Sequence, residues 1–152
     1  MKTNLRILTI AVALCAALAL PAIAQEKNDH KHKATPKGGR LLDKTEPHAE
    51  LVIAQDRIVT INFYNEDMKP VAATTQSVIV LADTKDGKAK LEFEKKGDSL
   101  VSKTKLPEGE GYNVVVQFKQ TTDAKPVNLR FKLELGMCGE CQRAEYACTC
   151  DH

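Results

Sequence analysis

The sequence predicts an all-β fold: a seven-strand antiparallel sandwich of immunoglobulin-like type, followed by a short cysteine-rich carboxy-terminal tail. Three observations carry this. Between residues 48 and 135, short runs place an apolar residue at every second position. Turn-forming clusters of Gly, Pro, Asn and Asp separate those runs at roughly dozen-residue intervals. No stretch between them has the 3.6-residue apolar period of a helix. Strands spaced this way close best as two packed antiparallel layers. The sequence has no Trp and no Cys in the strand region, so the buried Trp and inter-sheet disulfide of antibody domains are absent. A partly open barrel is the alternative closure.

The strands follow in order. The first covers 50–54, and Gln55-Asp56 turns it into 57–64, where Val59, Ile61 and Phe63 share one face. Residues 65–70, Asn-Glu-Asp-Met-Lys-Pro, form a loop. The run 76–82 is almost continuously apolar, the pattern of a strand buried on both faces. Asp86-Gly87 turns into 89–94, with Leu91 and Phe93 inward. Gly97-Asp98 turns into 99–103, and a Pro/Gly-rich loop at 107–111 leads to 112–119, with Val114, Val116 and Phe118 inward. The last strand, 127–135, alternates Val127, Leu129, Phe131, Leu133 and Leu135 with polar residues. These positions supply an apolar core before the tail begins.

The front of the chain sets the compartment. Lys2 and Arg6 precede an apolar run at 7–20, Pro21 breaks it, and Ala22-Ile23-Ala24 offers small residues for a signal peptidase. Residues 1–24 therefore read as a secretory signal peptide, the run being too short for an ordinary spanning helix. Cys15 lies within it, with Leu14 where a lipoprotein site needs a small residue. Export places the mature chain in the periplasm or outside the cell, with no membrane insertion after cleavage. Removal of the signal takes two of the 22 basic residues and none of the 20 acidic ones, leaving the charge balanced. A chain without a basic face or tryptophan is a poor partner for nucleic acid. Residues 25–47 are polar and lysine-rich and read as a flexible leader ahead of the sandwich at 48–135. His30-Lys31-His32 lies in this leader, and its lysines repel cations.

The strand region offers little catalytic chemistry. Ser77, Ser99 and Ser102 lie on or beside strands, none in a nucleophile elbow. No glycine-rich phosphate cradle precedes a helix, and the sequence reads as non-enzymatic. Gly38-Gly39, the His48-Ala49-Glu50-Leu51-Val52 run and Asp67-Met68-Lys69-Pro70-Val71 together resemble a group of small exported β-sandwich proteins. Some of that group accompany heavy-metal efflux systems, so the resemblance implies metal stress and an envelope partner. Lys37 stands where the group often has a histidine. His48 and Glu50, alternating on one face, form a candidate ligand pair, set against an ordinary capped edge-strand histidine.

The tail, residues 136–152, holds the main candidate site: Cys138, Cys141, Cys148, Cys150 and His152. A CxxC and a CxC separated by six residues concentrate four thiols in one short segment, with Gly139 permitting a tight turn. Four thiolates suit Zn²⁺ or Cu(I), with His152 able to replace one sulfur and Arg143 to offset charge. Residues 142–147 are long enough for a turn and a half of helix between the two sulfur pairs. Disulfide pairing is the competing reading, because an oxidising compartment favours it. A disulfide within the CxC would be strained, so the bridges would have to cross between the two motifs. Thiol exchange is a third possibility, but CGEC here lacks a βαβ framework. The function read from the sequence is therefore an exported soft-metal binder that buffers, hands over or structurally uses copper or zinc. The alternative is a non-catalytic interaction module with a disulfide-locked tail.

Overall fold

The computed structural model describes residues 33–42 and 44–150. The signal peptide, Cys15, His30, His32 and His152 lie outside the described residues. All seven expected strands form, with shifted ends, and two more join them. The nine are β1 (Arg40–Leu42), β2 (His48–Ile53), β3 (Val59–Tyr64), β4 (Pro70–Val71), β5 (Ser77–Thr84), β6 (Gly87–Lys96), β7 (Ser99–Ser102), β8 (Asn113–Lys119) and β9 (Val127–Lys132). The count of seven is corrected to nine. The only helical element among the described residues is a 3-10 turn at Glu145–Ala147, in place of the turn and a half of helix expected there.

All pairings are antiparallel, in the order β1-β2-β3-β7-β6-β5-β8-β9, with β4 beside β3. The sheet curls nearly into a barrel. Strand β6 carries it round the corner: Gly87–Glu92 pair with β5, and Phe93–Lys96 pair with β7. β3 likewise divides one edge, giving Thr60 and Ile61 to β7 and Phe63 and Tyr64 to β4. The inward faces of Leu51, Val59, Ile61, Phe63, Val78, Val80, Leu91, Val114, Val116, Phe118 and Leu133 form one core. The 76–82 run alternates instead of being buried on both faces. Val78, Val80 and Ala82 are inside, while Ile79 and Leu81 are half-exposed on the outer face. A continuous apolar run hides this alternation, because both faces are written in the same residue types.

The second half of the expected leader belongs to the sheet. Leu41 and Leu42 are buried on β1, which pairs with Ala49–Leu51 of β2. Ahead of β1, the turn at 35–39 crosses the outer face of β2 and β3, and Glu50 organises it. Glu50 is fully buried, and its carboxylate accepts from the Gly39 amide (2.7 Å), the Lys37 amide (3.1 Å) and the Tyr64 hydroxyl (2.6 Å). Burial, then the contact with Glu50, push the Tyr64 phenol well above its ordinary pKa. The Lys37 ammonium donates to Asn62 Oδ1 (3.1 Å), which also accepts from Ser99 (2.9 Å). Gly39 is obligatory, because a Cβ there would lie 2.3 Å from the Leu51 carbonyl oxygen.

Gly38-Gly39 and Glu50 meet as one hydrogen-bonded brace, and Pro70-Val71 lies on the adjoining β3 edge. The His48–Glu50 ligand pair does not form. Glu50 spends its oxygens on the brace, and His48, half-buried opposite Tyr64, joins no metal-ligating group among the described residues.

Candidate metal centre

The tail is built onto the end of β9. Leu133 remains fully buried after the strand ends, holding the chain to the 110–112 loop through Tyr112 and Gly111 backbone bonds. Beyond Gly136 the chain makes a small hairpin, with Met137 bridging Ala144 and the Cys138 amide donating to the Arg143 carbonyl (2.8 Å). The CxxC turn closes when the Gln142 amide donates to the Cys138 carbonyl (3.1 Å), and Gln142 takes a left-handed φ of 56° to do so. The 3-10 turn then reverses the chain, and Cys148 and Cys150 come back against the hairpin.

The four sulfurs converge. All lie within 4.8 Å of one another, and none is in a disulfide. Cys138 and Cys150 are 3.9 Å apart and Cys141 and Cys148 are 3.6 Å apart. Four sulfurs about 2.3 Å from one tetrahedral Zn²⁺ lie ~3.8 Å from each other, so the donor set fits a single ion. Cys138 and Cys148 face the protein, while Cys141 and Cys150 are half-exposed, which leaves one side of the cluster open to solvent.

Backbone amides tune the thiols unequally. The Thr149 amide, aided by that of Arg143 and by the neighbouring thiols, brings Cys141 down to about 6. Cys150 moves well up, first by removal from water and then by the surrounding thiols. For Cys148 the Cys150 amide (3.3 Å) is the strongest influence and acts downward. Desolvation and the Cys138 and Cys141 thiols together outweigh it, and the net shift is upward. Cys141 is thus more readily ionised than Cys148 and Cys150 beside it. The Nη1 of Arg143 is buried without a hydrogen-bond partner among the described residues.

The tail is not a free appendage. Tyr146 is 5 % exposed and enters the core beside Ala147. Its ring stacks on Phe131 of β9 at 6.2 Å, its hydroxyl accepts the Ile53 amide of β2 (3.0 Å), and its carbonyl accepts Arg40 Nη1 of β1 (2.9 Å). The Arg40 guanidinium also covers the Phe131 ring at 5.0 Å. The core expected to be complete by residue 135 therefore includes part of the tail. Sequence reasoning missed Tyr146, and its only signal is a lone aromatic in a polar, cysteine-rich segment.

No family model, curated protein or solved structure matches the chain. The functional reading is therefore carried by the residues themselves.

Proposed function

We propose that this is an exported, non-catalytic protein that binds one soft metal ion, Zn²⁺ or Cu(I), through Cys138, Cys141, Cys148 and Cys150. The observation that carries the reading is the convergence of four sulfurs from two motifs to within 4.8 Å, at spacings suited to one tetrahedral ion. Four thiolates around a divalent ion leave two negative charges, and the half-exposed Arg143, whose Nη1 is buried, lies on the same hairpin to offset part of them. The half-exposed Cys141 and Cys150 give the ion a way in and out, which suits buffering or hand-over to an envelope protein. The resemblance to exported immunoglobulin-like sandwich proteins, some of them beside heavy-metal efflux systems, points to the same setting, the periplasm or the exterior.

A second reading has its own observation. The closest sulfur pairs, Cys141 with Cys148 and Cys138 with Cys150, both cross between the two motifs, and these are the pairings two disulfides would use. One experiment separates them. Full-length protein is isolated from its native compartment, and its metal content and titratable thiols are counted before and after a chelator. Thiols that react only once the chelator is added support the metal. Metal-free protein without titratable thiols overturns it. In the reduced protein, zinc affinity should fall as pH drops, since the thiols must ionise to bind, and Cys148→Ser should abolish tight binding.

A further inference from the structure

The described sheet has two terminal strands, β1 and β9. An exposed strand edge presents unpaired amides and carbonyls to solvent. Here the segment between Gly136 and Cys150 lies against both. It meets β9 through the Tyr146–Phe131 stack and the Tyr146 amide on the Glu134 carbonyl (2.9 Å) just beyond that strand. It meets β1 through Arg40, which also caps the Phe131 ring, so one side chain touches both strands and the tail. Finally, β1 is only three residues long and stops opposite Leu51. The Tyr146 hydroxyl accepts the Ile53 amide two residues further along β2, where β1 gives no partner.

Tyr146 sits two residues before Cys148 and eight after Cys138, inside the loop that the four sulfurs close. From outside, that loop is held by the burial of Cys138, Tyr146 and Ala147 and by the contacts of Tyr146 with Glu134, Arg40 and Ile53. Its internal bonds are those of one small hairpin and one 3-10 turn, and two of its four thiols face solvent. A loop of this kind is ordered chiefly by whatever cross-links it. From this we propose that the centre is a metal-set clasp: ligation by the four thiolates fixes the tail loop, and the loop fastens β1 to β9 through Tyr146 and Arg40. The inference rests on the metal reading above and adds what the ion does to the fold. Metal release then loosens the seam between the terminal strands and leaves the β5–β6–β8 ladder, which lies inside the sheet order next to β9, intact.

The test is residue-resolved amide exchange on the reduced full chain, with and without buffered Zn²⁺, while native mass spectrometry counts bound zinc in the same samples. If opening the loop releases the ion, free zinc at 100 times its dissociation constant slows the coupled amides about 100-fold. The expected pattern is that slowing at Ile53, Tyr146, Cys138 and Gln142, with the amides of Val80 and Val116 unchanged. In Tyr146→Phe, which keeps the ring stack and loses the hydroxyl, zinc should still bind and still slow Cys138 and Gln142. The Ile53 amide should then exchange quickly with or without it. Zinc bound at one equivalent with Ile53 unaffected in the parent overturns the clasp and leaves the metal reading standing. Slowing of Ile53 that persists in Tyr146→Phe also overturns it, by removing the stated connection. No zinc bound at all overturns the metal reading itself, and the clasp with it.

Discussion

Replacing Glu50 by Ala tests the brace that holds the 35–39 turn on the sheet. The substitution removes one buried acceptor and strands three donors: the amides of Lys37 and Gly39 and the hydroxyl of Tyr64. A buried donor left without a partner costs about 1–3 kcal/mol. Against that, the fold no longer has to take a carboxylate out of water, which offsets several kcal/mol. Water admitted to the new space also satisfies part of what is stranded. Three stranded donors cost about 3–9 kcal/mol before these offsets, and the net loss expected is about 3–5 kcal/mol. For a domain this size that lowers the melting temperature by roughly 10–20 °C. Glu50→Gln keeps one oxygen for the two amides and presents an NH₂ to Tyr64, and it should lose less than half as much. Urea melts followed by far-ultraviolet circular dichroism give both values. Limited trypsin digestion adds a local readout, since Lys37 and Arg40 should become cleavable in Glu50→Ala before the sheet unfolds. An alanine variant that melts within about 2 °C of the parent and keeps both sites protected would refute the organising role given to this carboxylate.

Three further outcomes are expected of the same structure. Arg57→Ala should cost about 2–4 kcal/mol in urea melts, because its guanidinium ties the 104–112 loop together through the carbonyls of Leu106, Pro107 and Gly109 and the Tyr112 hydroxyl. In metal-free, reduced protein, Cys141 should be alkylated ahead of the other three thiols, with a rate that rises through pH 6, near its lowered pKa. The sign for stability is the same: a depressed thiol pKa favours the fold at high pH, and that contribution fades as pH falls from the ordinary thiol value, 9.0, to about 6. A chain ending at Gly136 should still give a sheet spectrum but melt well below the full chain, since Tyr146 and Ala147 are lost from the core. Equal melting temperatures would show that the tail adds nothing to the sheet.

The strands were legible where one face is buried and the other is wet, as in β8, because period-two alternation is then written directly into the residue types. That signal failed in β5, where Ile79 and Leu81 are apolar on the outer face. β1 and β4 were invisible for the opposite reason. Leu41-Leu42 is too short to show a period, and Pro70-Val71 sits among turn residues, so both strands exist only by pairing with neighbours already formed. The four cysteines were legible as one group because soft donors at CxxC and CxC spacing have few other uses. The brace was not, since a glutamate on a strand ordinarily means solvent, and only the fold reveals that this one is fully buried. Nor does sequence reveal that Arg57 adopts a left-handed φ of 68° and reaches across to a loop some fifty residues on.

Strand β6 has a consequence for how such a chain can be divided or reshuffled. Its first six residues belong to the ladder with β5 and its last four to the ladder with β7. A crossover between homologous genes anywhere from Ser77 to Ser102 would hand each descendant a β6 whose two neighbours came from different parents. The two groups of strands are therefore inherited together or not at all. Breaks outside that stretch, as in the loop from 103 to 112 or in the turn between β8 and β9, keep β6 and both its partners from one parent. The 119–127 turn is the less costly of these, since it lies apart from Arg57 and from the tail.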